Sequence, residues 1–308
     1  MKPYKCLPAR ILSFVKLRKP LPARSQRVVD LYPPSPVGNP AVAGRGTAPT
    51  PYFYAMPTTQ LPAILFLHGF AESREVWTDF TRACPNGYRL LTLNLPGHGT
   101  NVHDIRDYSM EGQARYVAEQ LRQKGVERAL LVCHSMGGYV ALAFAERYPE
   151  MVAGLALFHS TALPDTDEKR ANRDKNIDFV RRHGVEKFME SFIRPLFAPA
   201  NRERLLERRE FLEEIGKATP EATITGCLEA MKNRPDRTHV LREAKFPVLF
   251  IVGKEDVAVS VESILPQLAL PAQSHALLLH DVGHLGYFEE PELTRRAVVD
   301  FAGTVFGK

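Results

Sequence analysis

Side chains with complementary chemistry stand just beyond short apolar runs in this 308-residue chain. Ser135 follows Ala129-Leu130-Leu131-Val132-Cys133-His134, Glu255 and Asp256 follow Val248–Val252, and His280 and His284 follow Leu277–Leu279. A serine hydroxyl beside an imidazole becomes a usable nucleophile, and a carboxylate behind the imidazole fixes its orientation. Chemistry then depends on whether the elements that carry these residues converge.

Ser135 carries the clearest local signal. The apolar residues before it read as a fully buried strand, and Val140–Tyr148 reads as a packed helix. So short a strand-to-helix turn forces its central residue into a strained backbone conformation, with the side chain raised above the sheet edge. Neighbouring backbone comes close there, so small residues are needed two positions before and after. Gly137 meets that demand, Gly138 lets the helix pack tightly on the sheet, and Cys133 is small. The plainer alternative is a serine that only caps a helix.

This stretch resembles the α/β-hydrolase superfamily, in which Ser135 would take the nucleophile's place; Cys133 departs from the glycine usual two residues earlier. The resemblance extends over roughly residues 60–306, the segment 161–246 being far less specific. It implies that His68-Gly69-Phe70 forms the oxyanion loop, with the backbone N–H groups of Phe70 and Met136 as the oxyanion hole. His68 would then be structural, and His98, in Leu95-Pro96-Gly97-His98-Gly99-Thr100, would orient a loop. The triad acid would come from the loop after Val248–Val252. Asp256 fits best and Glu255 is the fallback, while an isolated Asp there would be a turn residue. His284, between Gly283 and Leu285, matches the catalytic histidine, and His280 reads as structural. The order Ser135, Asp256, His284 is that of the superfamily. The resemblance implies a cofactor-independent enzyme without metal ligands, acting on a small-molecule substrate.

Several elements must position these groups. Alternating strands and helices indicate a mostly parallel sheet covered on both faces, the α/β class. Strands are expected at Pro51–Tyr54, Ala63–Leu67, Leu90–Asn94, Val152–Phe158 and Val248–Val252, besides the one before Ser135 and one ending at Leu279. Ser109 should cap a helix whose apolar face is Ala114, Val117, Ala118 and Leu121, with Gly125 ending it. A closing helix is expected over Pro291–Phe306, packed through Val298, Val299 and Phe301. Trp77, the one tryptophan, reads as core or pocket wall.

Residues 161–246 are too many for an ordinary crossover. Their pattern predicts helices over Asp165–His183, Gly184–Phe192 and Arg202–Ala218, and another with Thr219 as N-cap and Pro220 as its first residue. The resemblance makes this segment a helical cap, leaving residues 51–160 and 247–308 as the core. Phe188, Met189, Phe192, Ile193, Leu196 and Phe197 either line an apolar pocket or pack the cap onto the body. The charge run from Asn201 to Glu210 reads as a solvated face.

The net charge of +5 is unevenly spread. Residues 1–30 carry eight basic side chains against Asp30, and the remainder has 32 basic and 34 acidic residues, a net of −2. This slight acidity argues against nucleic-acid binding by the folded part. Residues 1–50, basic and then Pro/Gly-rich from Pro33 onward, read as a disordered extension or an over-long start. A transit peptide or contact with anionic lipid remains open. No apolar run reaches 18 residues, so no transmembrane segment is expected. The four cysteines, Cys6, Cys84, Cys133 and Cys227, form no metal-ligand pattern and point to a reducing, cytoplasmic setting.

The expectation is a serine hydrolase cleaving an ester or thioester of a small apolar molecule. Ser135 argues against the superfamily's Asp- and Cys-nucleophile branches. Carbon–carbon bond hydrolysis or lysis by the same triad stays open, as does a non-hydrolysing receptor. Tyr139 replaces the arginine that the menaquinone-pathway lyase usually carries after Ser-x-Gly-Gly, which weakens that option.

Overall fold

The computed structural model describes residues 61–102 and 107–307; the expected strand at Pro51–Tyr54 and the basic extension lie outside them. Six strands form one sheet: Ala63–Leu67 (β1), Arg89–Leu93 (β2), Ala129–His134 (β3), Val152–Phe158 (β4), Val248–Gly253 (β5) and Ser274–Leu279 (β6). Their order is β2-β1-β3-β4-β5-β6, and every pairing is parallel. β1, β3, β4 and β5 are buried along their whole length, which is why their sequences are unbroken apolar runs. β6, an edge strand, alternates far less clearly because most of it faces solvent.

The helices are Thr78–Arg82 (α1), Met110–Gln123 (α2), Met136–Arg147 (α3), Asp167–Phe192 (α4), Leu206–Lys217 (α5), Glu221–Asn233 (α6), Thr238–Arg242 (α7), Val261–Ile264 (α8), Gly286–Glu289 (α9) and Pro291–Phe306 (α10). Ser109 caps α2 as expected, its hydroxyl accepting from Gly112 N at 3.0 Å, and the predicted apolar face is buried. Trp77 is core: it is fully buried against Phe66, Phe80, Phe158 and Tyr287.

Register brings the functional loops to one edge. Leu67 pairs with Cys133, His134 with Phe158, Phe158 with Ile251, and Gly253 with Leu279. The loops after β1, β3, β4, β5 and β6 therefore leave the same carboxyl edge of the sheet. The switch point, where the order reverses, lies between β1 and β3, the place where open α/β sheets bind ligands.

Residues between β4 and β5 are helical, with differences in detail from the sequence expectation. Thr166, not Asp165, caps α4; Asp165 is buried instead and accepts from Arg173 and Arg234. Gly184 (φ 84°, ψ 163°) divides α4 where two helices were expected. α6 starts at Glu221, and Thr219 does not cap it: its hydroxyl donates back to Ile215 O at 3.1 Å. The charge run is not simply solvated. Asn201 is buried, α5 begins only at Leu206, and Arg204 donates to Glu289 O. No helix among the described residues is long and apolar enough to cross a membrane.

Gly137 faces backbone. A Cβ there would lie 2.6 Å from the carbonyl oxygen of His68, which cannot swing aside. Gly137→Ala is expected to destabilise the protein by about 1–3 kcal/mol, read as a lower denaturation midpoint. An unchanged midpoint would show that the β1 loop yields.

Candidate active site

Ser135 occupies the N-cap position of α3 with φ 49° and ψ −115°, a left-handed conformation that costs a non-glycine residue about 1–3 kcal/mol. It does not act as a helix cap: its side chain makes no capping hydrogen bond. The hydroxyl instead donates to His284 Nε2 at 2.8 Å. His284 Nδ1 in turn donates to Asp256 Oδ2 at 2.8 Å. Ser135, Asp256 and His284, more than a hundred residues apart at the extremes, are thus brought together in one hydrogen-bonded chain.

Asp256 is buried and takes four donors. Oδ1 accepts from the backbone N–H groups of Ala258 (2.8 Å) and Val259 (2.9 Å), and Oδ2 accepts from His284 and from His159 Nδ1 (3.0 Å). Burial pushes its carboxyl up, but the charge of His284 and hydrogen bonds from both imidazoles outweigh that and hold it well below the carboxylate range. Glu255, the fallback, is exposed and makes no side-chain contact with His284. For His284, burial lowers and Asp256 raises the imidazole, and the net shift is upward.

His159 was not anticipated. It follows β4 with φ 50°. Its Nε2 accepts from Gly286 N at 3.3 Å, so the ring proton resides on Nδ1 and points to Asp256. Burial, opposed by Asp256, depresses it to about 4, and the ring is neutral. Nothing in the local sequence His159-Ser160 distinguishes it; the signal lies in its place at a strand's carboxyl end.

Glu289 is a second residue the sequence did not single out. Its Oε1 accepts from Gly283 N (2.9 Å) and Leu285 N (3.2 Å), on either side of His284. Oε2 accepts from Ala198 N and Asn201 Nδ2, both at 2.8 Å. One buried carboxylate therefore joins the histidine loop to the segment between α4 and α5, where Leu196 O also accepts from His284 N at 2.7 Å.

The backbone N–H of Phe70 has no acceptor among the described residues, and Met136 opens α3, where no carbonyl lies four residues back in the helix. His68 is structural, as expected: Nδ1 contacts Gly69 O at 2.8 Å and Nε2 accepts from Leu95 N at 2.9 Å. His98 Nδ1 contacts Pro96 O within its own loop. His280 is exposed beside Lys254, remote from the serine chain. His159, Asp256 and His284 offer the one cluster of metal-ligand types among the described residues. Their facing atoms are already paired at hydrogen-bond distance, which accounts for the cluster without an ion.

A cavity of about 480 Å³ lies between α4 and the loop after Asp256. Phe188, Phe192 and Leu196 line it on one side and Lys169, Arg173 and Lys175 on another, whereas Met189, Ile193 and Phe197 are buried in packing. Ser135 is not among its lining residues. Phe192 packs edge-on against Phe70 at 5.5 Å.

The chain belongs to the α/β-hydrolase fold family, whose model matches residues 62–291, and it is a hydrolase. Among curated proteins it is similar to the monoacylglycerol lipase ABHD6 of Bos taurus, 27% identical over 268 residues covering 79% of this chain and 76% of that protein. It is also similar to a 2-hydroxy-6-oxononadienedioate/2-hydroxy-6-oxononatrienedioate hydrolase of Burkholderia vietnamiensis, 29% identical and covering 78% of this chain and 86% of that one. Among solved structures, a thermophilic esterase from Thermogutta terrifontis superposes with a TM-score of 0.75 at 28% identity, over 80% of this chain and 91% of its own.

Three buried imidazoles, His68, His98 and His159, are held below the ordinary histidine value by burial and make stability fall in acid. His159, near 4, and His98, pushed down to about 3 by burial and by His68, are neutral when folded. Unfolded, both take up protons near pH 6.5, so below that value the unfolded state binds more protons. From His98 and His159 alone stability is expected to drop by roughly 3 kcal/mol between pH 6.5 and pH 5, approaching 1.4 kcal/mol per pH unit per ring. Urea unfolding across that range measures it; a flat profile would mean the rings are charged in the fold.

Proposed function

We propose that this hydrolase cleaves carboxylic esters of small apolar molecules through an acyl-enzyme on Ser135. The observation that carries this reading is the unbroken chain Ser135 Oγ–His284 Nε2 and His284 Nδ1–Asp256 Oδ2, each link 2.8 Å. His284 takes the hydroxyl proton as Oγ attacks the ester carbonyl, and Asp256, remaining ionised, stabilises the imidazolium and its orientation. The N–H groups of Phe70 and Met136 receive the developing oxyanion; one such donor is worth about 10²–10³ in rate. The imidazolium then protonates the leaving alkoxide, and the C–O bond breaks. Water, deprotonated by His284, attacks the acyl-enzyme; collapse returns the proton to Oγ and releases the acid.

Residues 161–246 serve as a cap in this reading, and Phe188, Phe192 and Leu196 give the adjoining cavity an apolar side. Arg234 lies over the Tyr139 ring at 3.9 Å. Its terminal nitrogens are committed to Asp165 Oδ1, Met231 O and Leu163 O.

With p-nitrophenyl esters, Ser135→Ala is expected to lose at least about 10³-fold in kcat and Asp256→Asn about 10²–10⁴-fold, with native melting. Glu255→Gln should stay within about twofold of wild type. The reading fails if Ser135→Ala keeps wild-type turnover, and a damaging Glu255→Gln would move the acid. Because His284 must be neutral to act as base and its pKa is raised, kcat/KM should fall in acid with a midpoint above the ordinary histidine value of about 6.5. A midpoint below that value would contradict the Asp256–His284 coupling.

A further inference from the structure

Beneath the site lies a second buried network that the mechanism above does not use. Glu72, two residues after Phe70, is only 4% exposed. Its Oε1 accepts from the Tyr287 hydroxyl at 2.9 Å. Its Oε2 accepts from Gly69 N at 2.7 Å and also meets His134 Nδ1 at 3.1 Å. The other nitrogen of His134, Nε2, lies 2.8 Å from the carbonyl oxygen of His284. A carbonyl only accepts, so Nε2 carries a proton. Nδ1 then meets a carboxylate oxygen, and that contact holds only if a second proton lies between them, on Nδ1 or on Oε2. The buried pair thus binds one proton beyond that of Nε2.

The position of this pair gives it a task. His134 immediately precedes Ser135, and its ring lies 4.9 Å from that of His284. Through Glu72 it holds Gly69, the residue before Phe70; through Nε2 it holds the backbone of His284 itself. Tyr287, packed edge-on against His134 at 4.9 Å, closes the ring of contacts. The fit is close: a Cβ on Gly69 would lie 2.7 Å from His134 Nδ1. Burial pushes the Glu72 carboxyl up, but the charge and hydrogen bond of His134 and the Gly69 N–H outweigh this and hold it below the carboxylate range.

We propose that Glu72 and His134 form a one-proton pair that sets the oxyanion loop and the His284 loop at a fixed separation, with Glu72 a positioning residue for acyl transfer. The proposal rests on the ester-hydrolase reading of Ser135. Glutamine at position 72 is the informative change because Gly69 N and His134 Nδ1 share the same oxygen. An amide oxygen there keeps Gly69 but gives a charged imidazole no counter-charge. An amide NH₂ there suits neutral His134 but faces the Gly69 N–H donor-to-donor. Either way one loop loses its anchor, while the shape of the side chain is kept.

The test compares wild type, Glu72→Gln, His134→Gln and the double variant on p-nitrophenyl butyrate, with kcat per active site titrated by a fluorophosphonate and melting followed by circular dichroism. Wild-type turnover that requires Ser135 establishes the underlying reading; its absence sinks that reading before Glu72 is reached. The expected result is a 10- to 100-fold loss of kcat in Glu72→Gln with KM within threefold. The double variant should lose no more than the worse single one, since both remove the same link. A kcat for Glu72→Gln within threefold of wild type would overturn the proposal, as would multiplying losses in the double variant. Should the variants fail to fold, ¹⁵N-histidine NMR of the wild type at neutral pH decides. A downfield proton correlated with His134 Nδ1 is expected, and its absence would remove the shared proton.

Discussion

A single carboxylate collects the donors on which the site's geometry depends. The Asp256 carboxylate is shielded from solvent, so its charge must be satisfied by protein. Two backbone N–H groups of its own turn satisfy one oxygen, and two imidazoles from different strand ends satisfy the other. That demand fixes the β5 loop, the β4 end and the β6 loop relative to one another. It also fixes the tautomer of His284: with the proton on Nδ1, Nε2 is left free to accept from Ser135. A burial that would be costly for a lone acid becomes the means of orientation.

The same logic recurs at two other buried acids. Glu289 satisfies backbone donors on both sides of His284 and across to Ala198, so the histidine loop and the helical segment share an anchor. Glu72 bridges the β1 loop and, through His134, the histidine loop. Loops after parallel strands have few backbone partners of their own. Here three carboxylates supply them, which allows a precise constellation to be built on loops rather than on regular elements.

Much of this architecture was legible in the chain. Strands buried on both faces write themselves as apolar runs, so β1, β4 and the run before Ser135 could be bounded nearly to the residue. Gly137 was legible because close backbone approach leaves one residue type. Asp256 and His284 were legible through the order and setting of their motifs. His159, Glu72 and Glu289 were not, because their role arises from contacts made across 97, 62 and 91 residues of sequence separation. A histidine or glutamate in a loop has no period or spacing that separates a buried anchor from a solvated side chain. Thr219 misled for a related reason: a Thr-Pro-Glu run is compatible with a cap, but its hydroxyl found the carbonyl of the preceding helix first. The charge run near Asn201 hid an anchor in the same way.

The central claim is that Ser135 is an activated nucleophile. Reaction of the full chain with a fluorophosphonate, followed by peptide mass spectrometry, tests it most directly. The account predicts one stoichiometric adduct on the peptide bearing Ser135, lost when the protein is first unfolded. A folded protein that forms no adduct, or one labelled at another residue, would contradict it.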